Sequence, residues 1–433
     1  MQFKNKSNKE YKMITTIFNI KYCTRKLKTT ALIFSSILAC SAQNVSANQL
    51  DNLISEYGSD LGLEGVYLPA PAQTPRVNIK SLGVGGYLIN WGDDQIMFAP
   101  SYTNPDPLSL LLDTHVSEKT VDRLIPDVSD VDMILVGHAH YDHLLDVPYI
   151  MEKHAQKAKL YGSKTMKHLI ASVVDPEKIH ILNDLAATAA DINETPIVEE
   201  KIGTWSYNPS GKIRIMAINS NHAPNATLFK GAILDADGDL IGEEIEFLFE
   251  ISKGGLDQDL DSVPSSAFLW REGQSFAYIV DFLDDNNDIA FRLHYEDAAS
   301  DPTQGFVPST ILAEKEVDLA ILTVANFNEI KEPAEHQGNE LFQYPQGIIN
   351  NLNASHYILG HWENFFANNW IYPDVWWMFG LRGDPVFPLD VVPLTNASEF
   401  IERVKSASGD YSHNNFTMPK PGADMSFPIN NLP

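Results

Sequence analysis

Apolar and polar positions alternate over much of the chain in short blocks that read as strands. Val77-Asn78-Ile79 alternates, residues 85–91 follow, and a Gly92-Asp93-Asp94 turn leads into residues 95–100. Two strands joined by such a turn predict a hairpin. Val131-Asp132-Met133-Ile134-Leu135-Val136 is a mostly apolar run expected as a buried strand. Leu144, Leu145, Val147, Ile150 and Met151 then recur at helical spacing, and Ser163 is placed to cap a helix running to Ile170 after a short strand at 159–162. Further strands are expected at 179–182, 212–218, 267–270, 276–281, 317–324 and 354–360. Interleaved strands and helices predict an α/β fold.

Organisation follows from what separates these blocks. Pro69, Pro71 and Pro75 mark residues 48–75 as a linker. Residues 231–262 form an acidic insertion. Asp235, Asp237 and Asp239 have the spacing of a calcium loop, but Leu240 stands at the sixth position, where glycine is needed, so a hairpin turn is preferred. Neither a short-period repeat nor a second linker is visible. One catalytic domain is therefore expected over 76–410, with 411–433 as a tail.

Chemistry gathers at one place. The 131–136 run ends in Gly137-His138-Ala139-His140-Tyr141-Asp142-His143, three of the 13 histidines within six positions. His138 and His140, two apart in extended backbone, point the same way and can share one ion; Asp142 and His143 face a second. Imidazole nitrogen and carboxylate oxygen are zinc donors. A capped, histidine-rich surface loop is the plainer reading, and the clustering argues against it. Two later strands end in comparable polar turns. Residues 212–218 lead to His222, a third donor for the first ion, and 354–360 lead to His361.

His138-Ala139-His140-Tyr141-Asp142-His143 resembles in full the His-x-His-x-Asp-His signature of the metallo-β-lactamase fold superfamily. That resemblance implies a four-layer αββα sandwich and a binuclear hydrolase. It assigns His138, His140 and His222 to one ion, and Asp142, His143 and His361 to the other. It also places a bridging carboxylate at a strand end, for which Asp281 is chosen, with Asp284 and Asp285 as runners-up. A hydroxide shared between the ions would attack the substrate, with Asp142 steering it, so no serine or cysteine nucleophile is needed. Zinc is the expected metal, with manganese or iron(II) as alternatives. Flavin-linked di-iron members carry glutamate at the position of His140, whereas mono-iron oxygenases share the motif. One departure is Ala99, where the family usually has an aspartate that buttresses the metal loop. Tyr141, Asn364 and Tyr102 are the candidates for a proton donor. His115, His180, His294, His336 and His356 are read as non-ligands. Trp370, Trp376 and Trp377 are candidates for an aromatic wall at the cleft.

Composition narrows the setting. The 433 residues are 44% hydrophobic and 20% charged, ordinary for a globular protein. Residues 1–28 are exceptional, with eight Lys/Arg against Glu10 alone, followed by the uncharged run 29–42. A basic region, a short apolar run and small residues describe an export signal over 1–47. Cleavage after Val45-Ser46-Ala47 would give a soluble periplasmic or secreted protein. Lipidation at Cys40 would give a membrane-anchored one. Without the leader's +7, the net charge moves from −26 to −33. Such a surface disfavours nucleic acid, whose binding depends on neutralising phosphates. A small or lipid-like substrate carrying an ester, lactone, amide or phosphodiester bond is expected. A metal-loaded envelope scaffold without turnover, and a mono-iron oxygenase, are the competing readings.

Overall fold

A computed structural model of the chain describes residues 62, 64–103, 105, 113–191, 196–222, 252–297, 305–323, 348–361 and 416–429. The leader with Cys23 and Cys40, the insertion's 231–251, His336, Asn364 and the three tryptophans lie outside them. Two seven-stranded sheets face each other. The first contains β1 (Arg76–Gly83), β2 (Gly86–Trp91), β3 (Asp94–Phe98), β4 (Val131–Leu135), β5 (Lys159–Gly162), β6 (Ile179–Ile181) and β14 (Asp424–Pro428). Its order is β14-β1-β2-β3-β4-β5-β6. The second contains β7 (Ser206–Tyr207), β8 (Ile213–Ser220), β9 (Ser275–Leu283), β10 (Ile289–Glu296), β11 (Leu319–Thr323), β12 (His356–Gly360) and β13 (Phe416–Thr417), in the order β13-β12-β11-β10-β9-β8-β7.

Alternation along the strands fills the space between the sheets. Tyr87, Ile89, Phe98, Met133 and Leu135 from one sheet meet Tyr278, Val280, Leu293, Tyr295 and Ile321 from the other. Phe98 stacks on Tyr295 with centroids 4.0 Å apart. The opposite face of the first sheet packs on α1 (Glu118–Leu124), α2 (Tyr141–Leu144), α3 (Val147–Lys153) and α4 (Lys164–Ile170), through Val121, Leu144, Ile150 and Leu169. Beyond the second sheet, the carbonyls of Ile311 in α5 (Ser309–Glu314) and of Lys315 accept from Arg292. Helix, sheet, sheet and helix give the αββα sandwich of the metallo-β-lactamase fold. No helix of the described residues is long and apolar enough to cross a membrane.

Local chemistry explains most boundaries. Trp91 pairs with Asp94 across Gly92-Asp93, and Gly92 adopts φ 58, so the hairpin closes as its turn residues require. Ser163 Oγ accepts the Met166 N–H at 3.1 Å, which caps α4. Three expectations need correction. Ala267–Leu269 is a 3-10 turn rather than a strand. Ile289–Glu296, absent from the expected strands, is a central strand. The 411–433 tail supplies β13 and β14, and β14 pairs with β1 at the edge of the first sheet.

Candidate metal centre

Strand direction decides where the polar ends meet. β9 is antiparallel to both β8 and β10, while β10, β11 and β12 are parallel. The carboxyl ends of β8, β10 and β12 therefore share one rim. The loop leaving β4 is fastened to that rim, since Gly137 O accepts the Phe276 N–H at 2.8 Å and Gly137 N–H donates to Asp297 Oδ2 at 2.8 Å.

Six residues expected from the sequence converge there. The rings of His138 and His140 are 4.8 Å apart, His138 and His222 4.6 Å, and His140 and His222 4.8 Å. His143 lies 4.3 Å from His138 and 5.1 Å from His361, ring to ring. His361 Nε2 is 3.2 Å from Asp142 Oδ2. Donor atoms of His138, His140 and His222 fall within 4.8 Å of one another, as do those of His138, Asp142 and His143. His138 and His143 are buried, whereas His140 and His222 are half-buried, so the centre opens on their side. His361 adopts φ 58, a strained value for a non-glycine residue, with its N–H held by Val84 O at 3.0 Å.

Asp281 is not part of this centre. It lies near the carboxyl end of β9, and that strand runs away from the rim. Glu296 pairs with Ala277 and Arg292 with Asp281, so Asp281 sits four residues down the ladder, roughly 13 Å at strand rise. Strand alternation also turns it to the outer face of the sheet. There Asp281 accepts from Arg292 Nε at 2.6 Å and Nη2 at 2.9 Å, and from Arg214 Nε at 2.9 Å. Asp284 closes the β9–β10 hairpin by accepting the N–H groups of Asn286 and Asp288, and Asp285 meets Lys212 at 3.3 Å. Neither reaches the rim.

The carboxylate that does is Asp297, directly after β10. Its Oδ1 lies 2.9 Å from His138 Nδ1 and its Oδ2 lies 3.7 Å from His143 Nδ1. A legible signal preceded it. Phe291, Leu293 and Tyr295 alternate with Arg292, His294 and Glu296, which is a strand pattern ending in an acid. Among the described residues, His115, His180, His294 and His356 belong to neither donor group. His115 is exposed beside Asp113, His180 stacks on Tyr161, His294 Nε2 faces Gly305 O, and His356 Nε2 lies 2.7 Å from Thr417 Oγ1.

The donor set suits a divalent cation. Asp297 occupies Nδ1 of His138, leaving the buried Nε2 with no hydrogen bond, and the buried Nε2 of His143 has none either. Buried ring nitrogens left this way cost free energy unless something else binds them. His140 Nε2 faces Ser252 O at 3.4 Å, which leaves Nδ1 for a ligand bond. Burial and the neighbouring His222 hold His138 and His140 well below the ordinary imidazole range. Burial likewise pushes His143 down to about 3 against the pull of Asp142. The rings are therefore neutral, the form that ligates. Burial would raise the Asp142 carboxyl, but His143 and His361 outweigh it and hold it well below the usual range. Burial raises Asp297, opposed by His143 and the Gly137 N–H.

Residues 105–241, which hold the central motif and His222, match the family model of the β-lactamase superfamily domain. That stretch, about a third of the chain, is similar to this superfamily's domain. A curated relative, cleavage and polyadenylation specificity factor subunit 3 of Dictyostelium discoideum, is 25% identical over 118 residues, 26% of this chain and 15% of that protein. The chain thus covers a small part of that relative's length. Among solved structures, a metallo hydrolase from the archaeon Ignicoccus hospitalis is 12% identical, with 81% of this chain and 98% of that one covered and a TM-score of 0.39. An isothiocyanate hydrolase from Delia radicum gut bacteria is also 12% identical, covering 81% and 99%, with a TM-score of 0.41. Likenesses this distant carry no argument about the chemistry of this chain.

Proposed function

We propose that this chain is a metal-dependent hydrolase working with two divalent cations, zinc first, with manganese or iron(II) as alternatives. One observation carries the reading: seven donors from four strand ends meet at one rim with buried ring nitrogens left over. His138, His140 and His222 would hold one cation, Asp142, His143 and His361 the other, and Asp297 would stand between them. Cations bound there supply Lewis acidity and acidify water, so the protein needs no nucleophile of its own. The protein's part is to hold the donors still. Asp297 fixes His138 with Nε2 inward, Ser252 O orients His140, and Val84 O pins the backbone of His361. Asp142 orients the attacking water from the His361 side.

The substrate is a small or lipid-like molecule with an ester, lactone, amide or phosphodiester bond. The strongly acidic chain disfavours polynucleotides. The basic leader supports export, with Cys40 as the alternative lipid anchor. Elemental analysis of purified protein, followed by esterase, lactonase and phosphodiesterase assays with added zinc or manganese, tests this. Two equivalents of metal and a rate abolished by His140→Ala are expected. Two equivalents without turnover on any substrate would favour the scaffold reading, and a rate indifferent to His140→Ala would end the hydrolase reading.

A further inference from the structure

Two of the proposed donors leave the second sheet from strands that are not neighbours. His222 follows β8 and Asp297 follows β10, and β9 lies between them. Register nevertheless brings the last residues of β8 and β10 onto one face. Ala277 of β9 pairs with Ile218 on one side and with Glu296 on the other, and Ser220 stands two residues beyond Ile218. The intervening residues Ala217, Phe276 and Tyr295 belong to the core between the sheets, so alternation turns Ile218, Ser220, Ala277 and Glu296 outward. There Ser220 Oγ donates to Glu296 Oε1, across the strand position that the small Ala277 occupies.

The surroundings hold this bond in place. Glu296 and Ser220 are both buried. Thr323 Oγ1, at the end of β11, donates to Glu296 O at 3.0 Å. Gly305 covers the carboxylate. It adopts φ +75, and a Cβ there would overlap Glu296 Oε2 and lie 3.1 Å from Cδ. Its N–H donates to Asn219 O at 3.1 Å, beside Ser220, and its carbonyl faces His294 Nε2 at 3.3 Å. The ends of β8, β10 and β11 are thus gathered around one residue. An apolar side chain would satisfy burial at position 296 unaided. A carboxylate does so only with a donor, and Ser220 supplies one.

Resting on the binuclear reading above, we propose that Glu296 is a positioning residue that, through Ser220, holds the His222 loop in register with Asp297. Ser220 lies two residues before His222, and Glu296 directly precedes Asp297. The bond therefore joins the roots of a histidine assigned to the first cation and of the carboxylate assigned between both. His222 is half-buried and lies beyond the end of its strand, so a fixed root matters more to it than to the buried His138 and His143. Removing an outer partner of a metal ligand typically costs 10–100-fold in affinity. This bond acts through the backbone leading to the ligands, which places its effect at the lower end, about tenfold.

The test uses the full chain with Ser220→Ala, Ser220→Thr, Glu296→Gln and the double variant Ser220→Ala with Glu296→Gln. Thermal melts in chelator report the bond without any metal. Zinc titration against a chromogenic chelator reports what the bond positions. Ser220→Ala should weaken binding of one equivalent about tenfold, and Ser220→Thr, which keeps the hydroxyl, should stay near wild type. In both readouts Ser220→Ala should do less harm beside Glu296→Gln, because a neutral amide loses less with its donor than a buried carboxylate does. Additive effects in the melts would show that the two residues share no bond. Coupled melts with unchanged zinc affinity in Ser220→Ala would show that the bond positions nothing; either result overturns the proposal. If Glu296→Gln does not fold, zinc affinity of Ser220→Ala against Ser220→Thr decides it. Wild-type protein that binds no zinc would overturn the hydrolase reading and the positioning role with it, while coupled melts would still establish the bond.

Discussion

Asp281→Asn separates a structural carboxylate from a ligating one. Arg292 is fully buried, and Asp281 engages it through two guanidinium nitrogens while also holding Arg214 at 2.7 Å. The substitution keeps an acceptor oxygen but removes a fully buried anion between two cations. Glu314 is half exposed and stands 3.5 Å from Arg292 and 3.7 Å from Arg214, too solvated to compensate. Leaving a buried charge without its partner costs roughly 3–5 kcal/mol. At about 2 °C per kcal/mol for a large domain, Tm should fall by roughly 6–10 °C. Thermal unfolding followed by circular dichroism in chelator gives Tm, and elemental analysis after reloading gives metal content. Asp281→Asn should melt early yet still bind two equivalents. Asp297→Asn should keep the chelated Tm, since a buried carboxylate becomes a neutral amide, and lose metal. Metal lost from Asp281→Asn at unchanged Tm would refute the assignment of both residues.

Gly137→Ala should behave like Asp297→Asn in metal titration, because its Cβ would lie 2.6 Å from Asp297 Cγ and 2.7 Å from Oδ2 and push the carboxylate aside. Its overpacking should also cost about 1–3 kcal/mol in denaturant melts. His294 and His356 are held down to about 4, each by burial, from an ordinary value of 6.5. A depressed histidine contributes stability that is full above pH 6.5 and lost as pH falls towards 4. Melts of chelated protein should therefore show a smaller loss of Tm across that window for His294→Gln than for wild type; equal slopes would rule the contribution out. Chelation should lower wild-type Tm, as zinc held at 100 times its Kd adds about 2.7 kcal/mol per site. A Tm indifferent to chelator in zinc-loaded protein would count against a native metal centre.

Local pattern made much of this molecule readable. The β2–β3 hairpin follows from Gly92-Asp93, the Ser163 cap from its side chain, and the donor loop from an apolar run broken by histidines. His222 and His361 could be picked because each follows an apolar strand. Asp281 failed for a reason that lies outside any short window. An acid near the end of a strand serves the rim only if the strand runs towards it, and direction is set by the neighbours of β9. Asp297 was passed over because Arg292, His294 and Glu296 make β10 look polar; they are buried on the outer face of the sheet rather than solvated. The closing strands β13 and β14 find their partners across great sequence separation, beyond the reach of periodicity.

That last pairing has a temporal consequence. Ser426 Oγ donates to Asn78 Oδ1 across 348 positions of chain. During synthesis β1 is therefore made long before the strand that will cover it, and one side of its backbone stays unpaired meanwhile. A premature stop just ahead of residue 424 would leave every proposed metal donor encoded, yet produce a protein with an adhesive flank.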